Sequence, residues 1–171
     1  AGGTLVAVDA GARALLDAVG VEARRAESDE ESDRDERLAE ALKGREARTL
    51  ERWEAQVPGT ILPVRLDPAH PLAFGAGAAG DPSRMYVLSG GNGFEPDAGF
   101  ETVAYFPEDL HKVSGVISDE NLERLDRSAW LVEKRLGGGR VVLFADDPLF
   151  RMFWRSAFQL YVNALLLAPA F

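Results

Sequence analysis

Cysteine is absent from the 171 residues. That removes disulfides, thiolate metal sites and cysteine nucleophiles, and leaves the redox compartment open. Positive charge is scarce: 19 Lys and Arg face 28 Asp and Glu, giving a net charge of -9. So acidic a chain is a poor partner for nucleic acid, whose phosphates need Lys and Arg. Long hydrophobic runs are missing too. The most apolar stretch, 149–167, carries Arg151, Arg155, Gln159 and Asn163, so it does not read as a membrane span. The chain opens on Ala-Gly-Gly directly before TLVAV, without the basic and apolar regions of an export signal. This start reads as an internal boundary of a larger parent. Length fits one soluble domain with a real core, carrying a charged flexible insert over about 24–36.

What is present alternates between strand-like and helix-like segments. Residues 4–8, TLVAV, read as a buried strand, and AGARALLDAVGV as a helix with Gly20 at its C-cap. The run RRAESDEESDRDER is almost all charge and reads as a solvated loop or an acidic docking segment. Leu38, Leu42, Leu50 and Trp53 recur near helical spacing, which predicts a surface helix over 35–55. ILPVRL is strand-like, and Pro63, which cannot donate to a ladder, predicts an edge position. RMYVLSG and FETVAYF read as strands. SDENLERL predicts a helix capped by Ser118, with Leu122 and Leu125 facing inward. AWLVEKRL and GRVVLFA follow as a hairpin joined by Gly137, Gly138 and Gly139. A last helix is predicted over 148–167, its apolar face formed by Phe150, Phe153, Trp154, Ala157, Leu160, Tyr161 and Ala164. Together these segments predict an α/β fold with parallel and antiparallel strands.

Two strand ends carry the candidate chemistry. In Ala7-Val8-Asp9-Ala10-Gly11 a hydrophobic strand ends, one residue sits at the tip, and small residues let a helix begin at once. That strand–tip–helix shape is the nucleophile elbow, which holds the tip side chain near the positive end of a helix. The stretch VVLFADDP likewise ends a strand in polar residues, where ligands bind in open α/β sheets. The pair resembles the class I glutamine amidotransferase fold, with its G-x-C-x-G elbow and a last core strand leading into H-P-E. That resemblance implies a flavodoxin-like open sheet with helices on both faces, here short of some N-terminal elements. It places the cysteine position at Asp9, the histidine position at Ala145 and the glutamate position at Asp147. A thiolate needs a neighbouring base; these positions offer a carboxylate and a methyl group, so the implied glutaminase triad is degenerate.

A closer resemblance spans almost the whole chain. WEAQVPGTILPVRLDPAHPLAFG, SGVISDENLERL and GGGRVVLFADDPLFRMFW…YVNALLL occur in the order found in the C-terminal amidotransferase-like domain of bacterial zinc-carboxypeptidase-like proteins of the M14 family. The resemblance implies a secreted or periplasmic parent whose upstream peptidase domain holds the zinc. It implies no cofactor in this chain: the family motif is His-x-x-Glu, and neither His70 nor His111 has Glu at the third following position.

Other residues have plain and functional readings side by side. Asp147 before Pro148 is either the N-cap of the last helix or, with Asp9, half of a carboxylate pair able to act as acid and base or hold a cation. Asp9, Asp146, Asp147 and Arg151 are the residues of a possible ligand cleft, Arg151 as a carboxylate clamp or a solvated charge. Ser89-Gly90-Gly91-Asn92-Gly93 is a mobile turn or a phosphate cradle. His70, between two prolines, is a turn residue or a ligand.

These readings converge on a non-catalytic accessory domain that supports a parent metallocarboxypeptidase by packing or substrate presentation. Its partner would be the upstream peptidase domain, with homo-oligomers possible and neither nucleic acid nor membrane expected. The alternatives are a small hydrolase or ligand-binding domain using an Asp9/Asp147 cleft, and an oligomerisation module. For residues 26–34, which contribute little apolar surface to offset an ordering cost of about 1–2 kcal/mol per residue, the fastest amide hydrogen exchange in the chain is expected; strong protection there would show that the segment docks.

Overall fold

A computed structural model describes residues 2–25, 42, 44, 56–152 and 154–170. Most of the charged run, the helix expected over 35–55, Trp53 and Phe153 lie outside the described residues. Among the described residues, nine strands make one mixed sheet whose main path runs β1-β9-β8-β6-β3-β4. The strands are β1 (Thr4–Val8), β2 (Ala23–Arg25), β3 (Thr60–Leu66), β4 (Arg84–Ser89), β5 (Asn92–Phe94), β6 (Glu101–Tyr105), β7 (Ser114–Gly115), β8 (Ala129–Leu136) and β9 (Gly139–Phe144). Only β1 against β9 is parallel; the other pairs are antiparallel. With its helices the chain is α/β.

The centre of the sheet is the β8–β9 hairpin. Its strands are rich in Val, Leu and aromatic residues, which suit a pleated buried surface. Residues 129–133 and 140–144 are all buried. Gly137 has φ 58 at the first turn position, and Leu136 pairs with Gly139, so a two-residue connection closes the hairpin as its glycines predict. Trp130, Phe94, Phe106 and Phe144 are the largest fully buried side chains. Each such burial contributes about 1.5–3 kcal/mol.

Several expectations are corrected. β1 has the expected span, but it ends the sheet path and leaves Leu5 48 % exposed, so it is an edge strand rather than a buried one. β3, expected at the edge, is interior: β4 covers one side while β6 and β7 cover its two ends on the other. Pro63 is tolerated because neither β6 nor β7 pairs with residues 62–64. The first helix is broken into α1 (Asp9–Arg13) and α2 (Leu16–Val19), and Gly20 closes the second with φ 64. Arg24 and Arg25, assigned to the flexible insert, belong to β2, where Arg24 bonds Glu95 and donates to the carbonyls of Arg124 and Asp126. The turn after Ser89 ends sooner than expected, since Asn92 already begins β5.

The helix over SDENLERL forms as α3 (Asp119–Leu125), with the Ser118 hydroxyl accepting from the Asn121 N–H at 3.3 Å. The helix expected from Pro148 starts only at Phe158, as α4 (Phe158–Leu166). Arg151 and Met152 adopt φ 55 and 58, which no continuous α-helix accommodates. α4 carries Leu160, Asn163 and Ala164 into the core. The Asn163 amide donates to the carbonyls of Leu72 and Phe74, both at 2.7 Å, and its oxygen accepts from Gln159 at 2.8 Å. This amide ties α4 to the segment around Pro71–Ala73. Asn163→Ala removes the donor from the buried Leu72 carbonyl and from the carbonyl of exposed Phe74, and is expected to lower unfolding free energy by about 2 kcal/mol, read from urea melts; a loss below about 0.5 kcal/mol would show that the bonds are replaced by water.

Candidate functional site

The carboxyl ends of β1 and β9 lie side by side. Val8 pairs with Phe144, so Asp9 and Ala145 are the next residues of two neighbouring parallel strands. Asp9 follows β1 directly, has φ 44, and opens α1. A non-glycine residue held at positive φ between strand and helix is the strained tip of an elbow. Its carboxylate forms an ion pair with Arg13 one turn on, and the side chain is 45 % exposed. Ala145 is buried, and its N–H donates to the Trp130 carbonyl at 2.9 Å.

The two adjacent aspartates do different things. Asp146 is 4 % exposed, and its carboxylate is an acceptor hub. One oxygen accepts from the Gly90 N–H and the Asn92 amide, both at 2.9 Å, and the other accepts from the Trp130 indole at 3.0 Å. It thereby holds the β4–β5 turn and β8 against the end of β9. Burial pushes its carboxyl pKa up, and donors from Asn92, Gly90, Ser89 and Trp130 pull it back only in part. Asp147 is half-buried, and its oxygen accepts from the Leu149 N–H at 2.9 Å. That is a local turn, not the helix N-cap expected, because the helix begins further on. Arg151 is exposed, with its guanidinium 5.5 Å from the Phe150 ring centre.

A second constellation was not expected. His70 ends a turn, as its flanking prolines suggested, yet its ring is buried at 4 % exposure. Nδ1 accepts from the Leu72 N–H at 3.2 Å, so the ring proton sits on Nε2. Nε2 lies 3.2 Å from Glu101 and 3.4 Å from Glu133. Glu133 is itself buried and bonded to the buried guanidinium of Arg140. The available signal was Glu133 and Arg140 themselves, charged residues inside two apolar strands. Neighbouring register then brings them together, with Glu133 opposite Val142, two residues from Arg140. A proton on Nε2 aims a donor at the carboxylates and leaves no lone pair for a metal. Among the described residues no group of three or more His, Asp or Glu side chains is arranged to hold a metal ion. His111 is exposed.

No described helix is long and apolar enough to cross a membrane. The chain matches no protein-family model, no curated protein and no solved structure.

Asp146 generates a pH prediction. An acid whose pKa is higher folded than unfolded stabilises most below its unfolded value, near 3.8, and that contribution is lost as pH rises through the folded value. The stability of the wild-type chain relative to Asp146→Asn is therefore expected to fall as pH is raised from 3.8. Asp146→Ala, which deprives the buried Trp130 indole, the half-buried Asn92 amide and the Gly90 N–H of their acceptor, is expected to cost about 3 kcal/mol across the range. A pH-independent difference between wild type and Asp146→Asn in denaturant melts would contradict the first expectation.

Proposed function

We propose that the chain is a non-catalytic, amidotransferase-like domain of a zinc-carboxypeptidase-like protein of the M14 family. In this reading the sheet is a variant of the flavodoxin-like amidotransferase fold, the parent is secreted or periplasmic, and the zinc belongs to an upstream peptidase domain. The observation that supports it best is Asp9: a residue at φ 44 between a strand and a helix, where an amidotransferase would carry its cysteine. Supporting it from the other side, Ala145 stands where the base would be, buried and one step beyond the Val8–Phe144 pair.

The elbow geometry without its chemistry suits a domain kept for packing or presentation. Nucleophilic catalysis needs an activated nucleophile and a base within hydrogen-bond reach. Asp9 is instead neutralised by Arg13, and Asp147 is engaged by the backbone of its own turn. The residues of this chain do not fit the zinc either, since the histidines are isolated from one another in sequence and His70 presents a proton. The outer edge of β1, which no other described strand pairs with and where Leu5 is exposed, is a surface suited to the upstream domain or to a second copy of the chain.

The test has two arms. The residues encoded upstream of Ala1 are expected to contain a His-x-x-Glu pair and a distant second His, and the purified chain is expected to release neither ammonia from glutamine nor C-terminal amino acids from peptides with added zinc. Zinc-dependent release by this chain alone, or an upstream sequence without the motif, would overturn the reading.

A further inference from the structure

Asn92 and Gly93, the first two residues of β5, form the only Asn-Gly step in the chain; the other asparagines, Asn121 and Asn163, precede Leu122 and Ala164. We propose that Asn92 is a site of spontaneous deamidation, opened when β5 parts from β2, and that the carboxylate left behind releases the β4–β5 turn from Asp146. The inference does not rest on the function proposed above and uses none of the elbow residues.

The step needs water alone. The Gly93 backbone nitrogen attacks Asn92 Cγ and a nitrogen–carbon bond forms. The bond from Cγ to Nδ2 breaks, and the amide leaves as ammonia, taking up the proton that Gly93 gives up. Water then opens the cyclic imide at one carbonyl or the other, leaving aspartate or isoaspartate. Nothing is oxidised or reduced. Glycine favours the attack because it brings no side chain to obstruct the nitrogen.

The fold requires both members of this step. A Cβ on Gly93 would collide with Ser128 Oγ and lie 3.1 Å from the Ser128 Cβ. Ser128 is fully buried, and its hydroxyl donates to the Leu125 carbonyl at 2.7 Å, which holds it in place. Asn92 is required as an amide. Its Nδ2 donates at 2.9 Å to the Asp146 oxygen that also accepts from the Gly90 N–H. A reactive step therefore sits at the fastening of the turn.

The ladder with β2 keeps the step closed. Ala23, Arg24 and Arg25 pair with Phe94, Gly93 and Asn92. The Glu95 N–H donates to the Glu22 carbonyl at 2.9 Å, one register step beyond Ala23 and Phe94. Antiparallel pairs alternate between hydrogen-bonded and non-hydrogen-bonded, so Arg24 and Gly93 make the next bonded pair and engage the Gly93 N–H. On the other side of β5, among the described residues, only Phe94 pairs, with Ala129. Parting of the short β2 thus frees the attacking nitrogen without unfolding the sheet. Arg24 opposes that parting through Glu95 and the carbonyls of Arg124 and Asp126.

Deamidation replaces a donor with a second acceptor. Burial already opposes charge on Asp146, and a new carboxylate would face it where the Asn92 amide stood. Two carboxylates sharing a site disfavour each other's ionised form. Isoaspartate also lengthens the main chain and so breaks register with β2.

Peptide mapping by mass spectrometry, on the full chain stored at neutral pH with and without urea, tests this. Asn92 is expected to react first among the asparagines in urea, and measurably but at least about tenfold more slowly in the folded chain. Arg24→Ala is expected to speed the folded-state reaction about fivefold and to leave the rate in urea unchanged. Asn163→Ala, which loosens α4 instead of β2, is expected to change the folded-state rate by less than about twofold. Asn92→Asp, which makes one of the products directly, is expected to unfold at a lower urea midpoint than Asn92→Ala, because it adds a repulsion to the lost bond. The proposal is overturned if Asn92 stays intact in urea or in the folded chain, or if it reacts equally fast in both. It is overturned too if Arg24→Ala brings no acceleration, if Asn163→Ala accelerates the reaction as much, which would make global unfolding the route, or if Asn92→Asp unfolds no earlier than Asn92→Ala.

Discussion

Five residues of β1 lie in parallel register against β9, from Thr4 opposite Arg140 to Val8 opposite Phe144. This pairing determines what happens at both ends of the molecule. At the carboxyl end it sets Asp9 beside Ala145 and forces the chain to turn sharply into α1. At the amino end it sets Gly3 and Thr4 beside Arg140, whose N–H donates to the Gly3 carbonyl at 2.9 Å. Parallel pairing gives β1 no hairpin to hold it. Its hold on the sheet is the β9 ladder on one side, and no other described strand pairs with it.

Two fixed networks of buried polar groups lie inside this sheet, one centred on Asp146 and one on Glu133. Asp146 gathers three donors from two segments, Gly90 and Asn92 around the β4–β5 turn and Trp130 on β8, which makes a carboxylate the fastener between these two and the end of β9. Glu133 does the comparable task for Arg140 and His70. In both cases a buried charge is compensated by neighbours that are themselves fixed by strands, and removing one partner leaves the others uncompensated. Such groups specify register: a slip of β8 by one residue would turn Glu133 to the opposite face and away from Arg140.

Much of the strand pattern was legible in the sequence, because apolar runs bounded by glycine and proline have few other readings. The spans of β1, β4, β8 and the Ser118-capped helix follow from local chemistry alone. What was not legible depends on partners distant in sequence. Pro63 suggested an edge strand, but an interior strand can hold a proline where its neighbours stop short, and nothing near Pro63 shows that β6 and β7 do so. The apolar periodicity from Phe150 onward suggested one long helix, yet Arg151 and Met152 take positive φ and delay it to Phe158. Asp146 and Asp147 were adjacent and looked equivalent; burial and the position of Trp130 and Asn92 separate them into a buried hub and a turn acceptor. The His70–Glu133–Arg140 network escaped for the same reason, since 63 residues separate His70 from Glu133.

The central claim is the parallel, in-register union of β1 and β9, and nuclear Overhauser contacts between backbone protons test it most directly. The account predicts cross-strand amide-to-α-proton contacts in the slanted parallel pattern, progressing from Thr4 and Arg140 to Val8 and Phe144. An antiparallel pattern, a register offset of one or more residues, or no contact between the two segments would contradict it, and with it the placement of Asp9 beside Ala145.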